Sequence, residues 1–258
     1  MTLLCLNVAN TDTVLGVFEG EHLLGHWRVA SDERQTADEW FLLLDGLVRS
    51  ADLAPVRAIS MCCTVPVILH EMRELTARYF ADCPVTIVGP GVKTGIPILT
   101  DNPREVGTDR IVNAVAANAL FGGPSIVVDF GTATTFDVVD AEGRYVGGSI
   151  APGIAISLQA LGQHGAQLRV VELAAPRGVI AKNTVEALQS GMVYGFAGQV
   201  DGIVARMVEA LGCIPGQVPV IATGPLADVV VDECRTVGHH LRWLTLTGLR
   251  LVHEKNCP

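Results

Sequence analysis

"LLCLNVANTDTVLGVFEG", residues 3–20, reads as a strand, a tight polar turn and a second strand, and the pattern returns as "IVVDFGTATTFDVVDAEG", residues 126–143. Apolar residues fill the strands and small polar residues fill the turns, the signature of hairpins with a buried body and a polar tip. Overlaid, the copies place Asn7 opposite Asp129, Ala9 opposite Gly131, Asn10 opposite Thr132 and Thr13 opposite Thr135. Self-similarity at a half-chain period points to a duplicated domain.

The surrounding segments repeat the same order. "HLLGHWRVA" (22–30) continues the first hairpin as a third strand. "TADEWFLLLDGLVRSA" (36–51) has an acidic first turn after Thr36 and apolar residues at helical spacing. "VRAISMCCTVPVI" (56–68) holds a buried strand, followed by a helix entered at Pro66, and "CPVTIVGPG" (83–91) a short strand. A loop rich in Pro, Gly and Asp (94–110) leads to a small-residue helix, "RIVNAVAANALFG" (110–122). After the second hairpin come a strand in "YVGGSIAPG" (145–153), helices at 153–162 and 183–211, a strand in "VPVIATGPL" (218–226) and a closing helix, "TLTGLRLVHEK" (245–255). This is an α/β chain of two βββαβα-like halves, 1–115 and 116–258, with a ligand cleft expected between them.

Composition narrows the function classes. Of 258 residues, 49% are hydrophobic and 17% charged, enough for a buried core and wrong for disorder. The net charge of −9 comes without a basic cluster, which argues against a nucleic-acid surface. The apolar start of the chain stops at Asn7, with no basic n-region before it and no apolar stretch approaching 18 residues anywhere. The expectation is a cytoplasmic protein without a membrane segment. Seven scattered Cys include no CxxC, so they read as reduced core thiols. His239–His240, the only close His pair, reads as surface, because adjacent residues converge poorly on a metal.

A strand that ends in small polar residues can wrap a phosphate chain with backbone N–H groups, and Thr and Asn add further donors. An acid at the strand end can hold a cation or its water shell. Two such hairpins suit a nucleoside triphosphate, and a third turn, "ATGP" (222–225), follows a buried strand. None is a GxxxxGK[ST] loop. A lone "DFGTATT" would read as a structural turn; the repetition is what favours phosphate binding.

The paired hairpins and the late Gly turn resemble the actin/sugar-kinase/Hsp70 superfamily. "DNPREVGTDRIVNA" (101–114), "VVDFGTATTFDVV" (127–139), "GGSIAPGI" (147–154) and "KNTVEALQSG" (182–191) together resemble type III pantothenate kinase, over essentially the whole chain to "GLRLVHEKN". The resemblance implies duplicated ribonuclease-H-like, actin-like ATPase domains. It implies ATP-dependent phosphorylation of pantothenate to 4'-phosphopantothenate, the first step of coenzyme A biosynthesis, by a homodimer. Asp109 matches the general base, and Gly107, Thr108 and Arg110 the rest of the substrate motif. Thr184 matches a residue that closes the pantothenate pocket across the dimer. Asn7, Val8, Ala9, Asn10, Thr11, Asp12, Thr13 and Val14 match the first ATP hairpin, and Thr132 an ATP contact. Asp129 matches a ligand for a monovalent cation, potassium or ammonium. ATP is expected with Mg²⁺. Read as residues alone, Asp109 also suits a helix N-cap, and Arg110 suits either a carboxylate clamp or a surface pair with Glu105.

Several positions depart from the family pattern. Its first hairpin begins Asp-Val-Gly-Asn-Thr, where this chain has Asn7-Val8-Ala9-Asn10-Thr11. Asn7 lacks the charge that would help hold Mg²⁺–ATP, and Ala9 resists a positive φ. Pro225 replaces a second Gly and removes an N–H. Thr100 stands where the family often has Tyr, and "GAQLR" (165–169) departs from Ala-Lys-Leu-Pro. The departures gather on the nucleotide side, so the alternative to a working kinase is a catalytically impaired relative that binds ligand or regulates. A Cys-dependent hydrolase using Cys62 or Cys63 lacks a His partner in the sequence.

Overall fold

The computed structural model describes residues 1–164 and 171–257, so the "GAQLR" departure lies outside the described residues. Two compact units divide the chain. One comprises Met1–Ile96, Asn102–Ala116 and the chain from Thr245 on; the other comprises Pro97–Asp101 and Ala117–Leu244.

The first unit is built on β1 (Thr2–Val8), β2 (Asp12–Glu19), β3 (His22–Ala30), β4 (Ala58–Cys63) and β5 (Val85–Ile87), in the order β3-β2-β1-β4-β5. The β1–β2 and β2–β3 pairs are antiparallel; β4 and β5 join in parallel. Between them run α1 (Ala37–Ser50) and α2 (Pro66–Tyr79). Thr36 and Glu39 close a capping box at the start of α1, and Pro66 occupies the first turn of α2, where no donor is lost. Trp40, Leu44 and Val48 recur every four residues on α1 and pack with Leu4, Leu6, Ile59 and Met61 on one face of the sheet. The opposite face carries Cys5, Asn7, Ser60 and Cys62. It meets α7 (Leu244–Asn256), whose Leu249 carbonyl accepts from Ser60 Oγ at 2.8 Å.

The second unit repeats this plan with β6 (Ser125–Phe130), β7 (Ala133–Val139), β8 (Tyr145–Pro152), β9 (Val220–Thr223) and β10 (His239–His240), in the order β10-β9-β6-β7-β8. Strand directions match the first unit throughout. The irregularities repeat too. Register shifts between Val17 and Phe18 in β2 and between Val138 and Val139 in β7, with Gly25 and Gly147 as the respective partners. A bulge reproduced at the same place in both copies is strong structural evidence of duplication. Ile126, Val128 and Phe130 of β6 form a core with Val200, Val204 and Val208 of α5 (Thr184–Ala210) and with Ile154 of α4 (Ile154–His164).

Three details differ from the sequence reading. The gapless overlay of the hairpins fails after the turn. Val8 pairs with Thr13, leaving Ala9–Asp12 as the loop, whereas Phe130 pairs with Thr134, leaving only Gly131–Ala133. Thr13 therefore corresponds to Thr134, and both are fully buried. Second, the exposed His239–His240 pair forms a short edge strand on β9, too short to leave a periodic signal. Third, a four-residue helix, α6 (Ala227–Val230), follows the Gly224 turn. Among the described residues no helix is long and apolar enough to cross a membrane.

The helix α3 (Thr108–Phe121) carries Val112 against α7, and a Cβ added to Gly248 would lie 2.2 Å from the Val112 carbonyl oxygen. Helix propensity alone favours alanine over glycine by about 1 kcal/mol. Here overpacking should outweigh it, and Gly248→Ala should cost about 1–3 kcal/mol. Thermal or urea unfolding measures the effect; a stabilised variant would mean that α7 and α3 do not make this close approach.

Candidate active site

The first turn begins where β1 leaves the core. Ala9 N–H donates to the Asp12 carbonyl at 3.1 Å, so it closes the turn and is not an open donor. Asn10 and Thr11 form the exposed tip, and Thr13 is turned inward, its hydroxyl 2.8 Å from Ser31 Oγ. Asp12 lies 3.7 Å from the Arg28 guanidinium across the hairpin. Among the described residues, Asp52 is the only non-glycine with a positive φ, so Ala9 carries none of the backbone strain expected of it. At the equivalent Gly131, an added Cβ would meet nothing closer than 3.6 Å. A methyl is sterically acceptable at either turn.

Asn7, half-buried at the end of β1, is the register partner of Cys62 on the parallel β4. The Cys62 thiol donates to Asn7 Oδ1 at 3.2 Å. Burial pushes the Cys62 pKa well up, and the nearby Asp109 carboxylate pushes it further. Cys63 is raised by burial as well. Neither thiol is a ready nucleophile, because the thiolate is the reactive form; this removes the physical basis for a cysteine hydrolase.

Asp109 sits in the first turn of α3, whose start is set by Gly107: the Gly107 carbonyl accepts from Ile111 N–H at 3.2 Å. A Cβ on Gly107 would lie 2.6 Å from Asp109 Oδ1, so glycine makes room for the folded-back carboxylate. Burial raises the Asp109 pKa above the usual carboxylate value, outweighing backbone N–H donation from Arg110 and Asp109 and the Arg110 charge, all of which lower it. Thr108 Oγ1 is buried without a hydrogen-bond partner among the described residues. The preceding "DNPRE" loop is held by Asn102, whose Nδ2 donates to Glu105 Oε1 at 2.6 Å and whose Oδ1 accepts from Arg104 N–H at 3.3 Å.

In the second unit, Asp129 lies one residue before the end of β6, opposite Thr223 of β9. Gly224, with φ +95°, brings the third turn against it: a Cβ there would lie 2.4 Å from Asp129 Oδ1 and 2.7 Å from Phe130 N. Gly153 packs as closely on the second hairpin, its added Cβ falling 2.1 Å from the Thr132 carbonyl oxygen. Thr223 Oγ1 is buried without a partner among the described residues. Thr184 opens α5, exposed, just after the Asn183 N-cap that accepts from Glu186 N–H at 2.9 Å.

Thus Asn7 to Val14, Gly107, Thr108, Asp109 and Arg110 belong to the first unit, and Asp129, Thr132 and Thr184 to the second. Asn7 and Asp109 share a neighbour in Cys62, which the sequence alone offers as a core thiol or as a hydrolase nucleophile and not as a partner of Asn7. The strand register gives it a role: "ISMC" (59–62) and "VIAT" (220–223) occupy the same place in the two halves, so Cys62 and Thr223 are counterparts. Among the described residues no group of three or more His, Cys, Asp or Glu is arranged to hold a metal.

A model of the type III pantothenate kinase family matches residues 3–206. The chain is 60% identical over 260 residues to the type III pantothenate kinase of Streptomyces griseus subsp. griseus, covering 98% of each chain. It is 61% identical over 257 residues to that of a Nocardioides species, covering 99% of this chain and 100% of the relative. Among solved structures it resembles the ROK hexokinase of Thermus thermophilus, with a TM-score of 0.56 at 17% identity over 100% of both chains. That likeness shows the duplicated actin-like fold.

The desolvated Asp109 carboxylate has a consequence for stability. With its pKa raised in the native state, the folded chain keeps a proton that the unfolded chain has already lost, so stability falls as pH rises through that window. Above the window, Asp109→Asn should therefore melt at a higher temperature than the parent. Below the ordinary carboxylate range the difference should vanish. Melting curves across pH check this; a variant less stable than the parent at neutral pH would show that the buried charge is net favourable.

Proposed function

The chain belongs to the type III pantothenate kinase family: it is a kinase that phosphorylates pantothenate in coenzyme A biosynthesis, and we propose that Asp109 is the general base of that transfer. Phosphoryl transfer asks a protein mainly for alignment and charge neutralisation, with a group to orient the attacking hydroxyl. Asp109 supplies that group. Its raised pKa strengthens it as a proton acceptor. The position of this carboxylate, kept half-buried at the start of α3 by Gly107, is the observation that carries the assignment.

Gly107, Thr108 and Arg110 beside it take pantothenate, and Thr184 closes that pocket across the dimer. The unpartnered Thr108 hydroxyl suits a polar group of the substrate, and the Arg110 guanidinium suits its carboxylate. Asn7, Val8, Ala9, Asn10, Thr11, Asp12, Thr13, Val14 and Thr132 take ATP, which carries Mg²⁺. Asp129 takes a monovalent cation, potassium or ammonium. Its carboxylate, close to a glycine turn that a Cβ would fill, fits a hard cation held by oxygens. Such an ion would offset negative charge near the nucleotide. The exposed Thr184 lies beside exposed apolar residues, Val179, Ile180 at 89% and Val185. A second copy of the chain would cover them, which supports a homodimer that shares its substrate pocket. The sequence duplication is assigned to 1–115 and 116–258, with the closing helix α7 packing back on the first unit, and the compartment to the cytoplasm. The impaired-relative alternative loses one of its physical motives, since Ala9 is unstrained.

A coupled assay with pantothenate, Mg²⁺–ATP and a monovalent salt tests the whole reading. Turnover should be higher in potassium or ammonium than in sodium at equal ionic strength. Equal rates in all three would remove the cation role of Asp129, and no turnover in any would overturn the kinase assignment.

Asp109→Asn should lower kcat by about 10²–10⁴, the usual loss for a general base, while the variant stays folded by circular dichroism. Turnover at the parent rate would assign the base elsewhere.

A further inference from the structure

We propose that Cys62 is a positioning residue for the nucleotide: its thiol holds the Asn7 carboxamide oxygen, so that the amide nitrogen is the group Asn7 offers to the phosphate chain. This rests on the assignment of the Asn7–Val14 hairpin to ATP. The geometry is specific. Asn7 and Cys62 are register partners on adjacent parallel strands, and their side chains share the sheet face opposite the α1–α2 core. Cys62 is fully buried, and its Sγ lies 3.2 Å from Asn7 Oδ1. Asn7 is half-buried and stands one residue before the turn, with only Val8 between.

A carboxamide is two-faced: one end accepts and the other donates. A thiol that stays protonated is a lasting donor, and burial keeps this one protonated. The pairing therefore consumes the accepting end of Asn7. What remains is an N–H₂ group, suited to phosphate oxygens and unable to ligate Mg²⁺. The first hairpin grips the triphosphate as a neutral donor, and the charge missing at position 7 is not a defect. The second unit is built differently: there the counterpart pair is Asp129 and Thr223, an acid beside a hydroxyl, and Thr223 Oγ1 makes no hydrogen bond among the described residues. The thiol–amide bond is thus a feature of the first unit alone.

The test is steady-state kinetics on the parent, Cys62→Ala, Cys62→Ser, Asn7→Ala and the Cys62→Ala/Asn7→Ala double variant, with melting temperatures for each. Cys62→Ala should raise the KM for Mg²⁺–ATP by roughly 3- to 10-fold, the effect of one neutral hydrogen bond, and leave the KM for pantothenate within about twofold. Cys62→Ser, which keeps a donor, should restore most of the loss. In the Asn7→Ala background, Cys62→Ala should add nothing further, because it acts through Asn7. Additive effects, an unchanged KM for ATP in Cys62→Ala, or parallel losses in both KM values and melting temperature without rescue by serine would each overturn the proposal. Calorimetric titration of the parent with Mg²⁺–ATP separates the two levels. A parent that binds, with Cys62→Ala binding equally well, sinks the role of Cys62 alone. A parent that does not bind sinks the nucleotide assignment and this inference together.

Discussion

The parallel pairing of one central strand with the next, β1 with β4 and β6 with β9, is the constraint on which the rest depends. A parallel pair needs a long crossover and is covered on both faces, so its residues alternate between two packed surfaces. In the first unit one surface meets α1 and α2 and the other meets α7. Covering stops at the carboxyl end of the strands. There Asn7 and Asp129 emerge half-buried, each beside a small polar neighbour on the adjoining strand. Carboxyl ends of strands in α/β sheets are where ligand chemistry tends to lie.

Burial then does two opposite things within one unit. At Asp109 it raises the pKa and makes the carboxylate a stronger proton acceptor, against the lowering effect of backbone donors and Arg110. At Cys62 it suppresses ionisation, so the thiol is a poor nucleophile and a dependable donor. The same desolvation disfavours both anions; the chemistry of each group decides the consequence.

Glycines provide the close approaches around these groups. Gly107 admits the Asp109 carboxylate, Gly224 turns at φ +95° against Asp129, and Gly153 packs on the Thr132 carbonyl. Any side chain at Gly153 or Gly224 would collide with backbone, so those turns are held by absent atoms as much as by bonds. Gly131 is different, since a Cβ there has space, and that is why its counterpart can be Ala9.

The sequence by itself determined the duplicated plan, because hairpin periodicity, the Thr36–Glu39 cap and the entry of α2 at Pro66 are local signals carried by neighbouring residues. The GTDR and DFGTATT segments were legible for the same reason: their chemistry sits in consecutive positions. What only the tertiary structure decided is register and company. The first hairpin loop is one residue longer than the second, so Thr13 answers to Thr134, and pairing across strands shows this where an overlay of letters does not. Cys62 looked like one more core thiol until β4 was set beside β1 and brought it to Asn7, 55 residues away in the chain. The strain expected at Ala9 was likewise a question of φ, which one residue's identity does not fix. Contacts between distant segments depend on how strands slide into register, and a linear pattern records the strands without recording the slide.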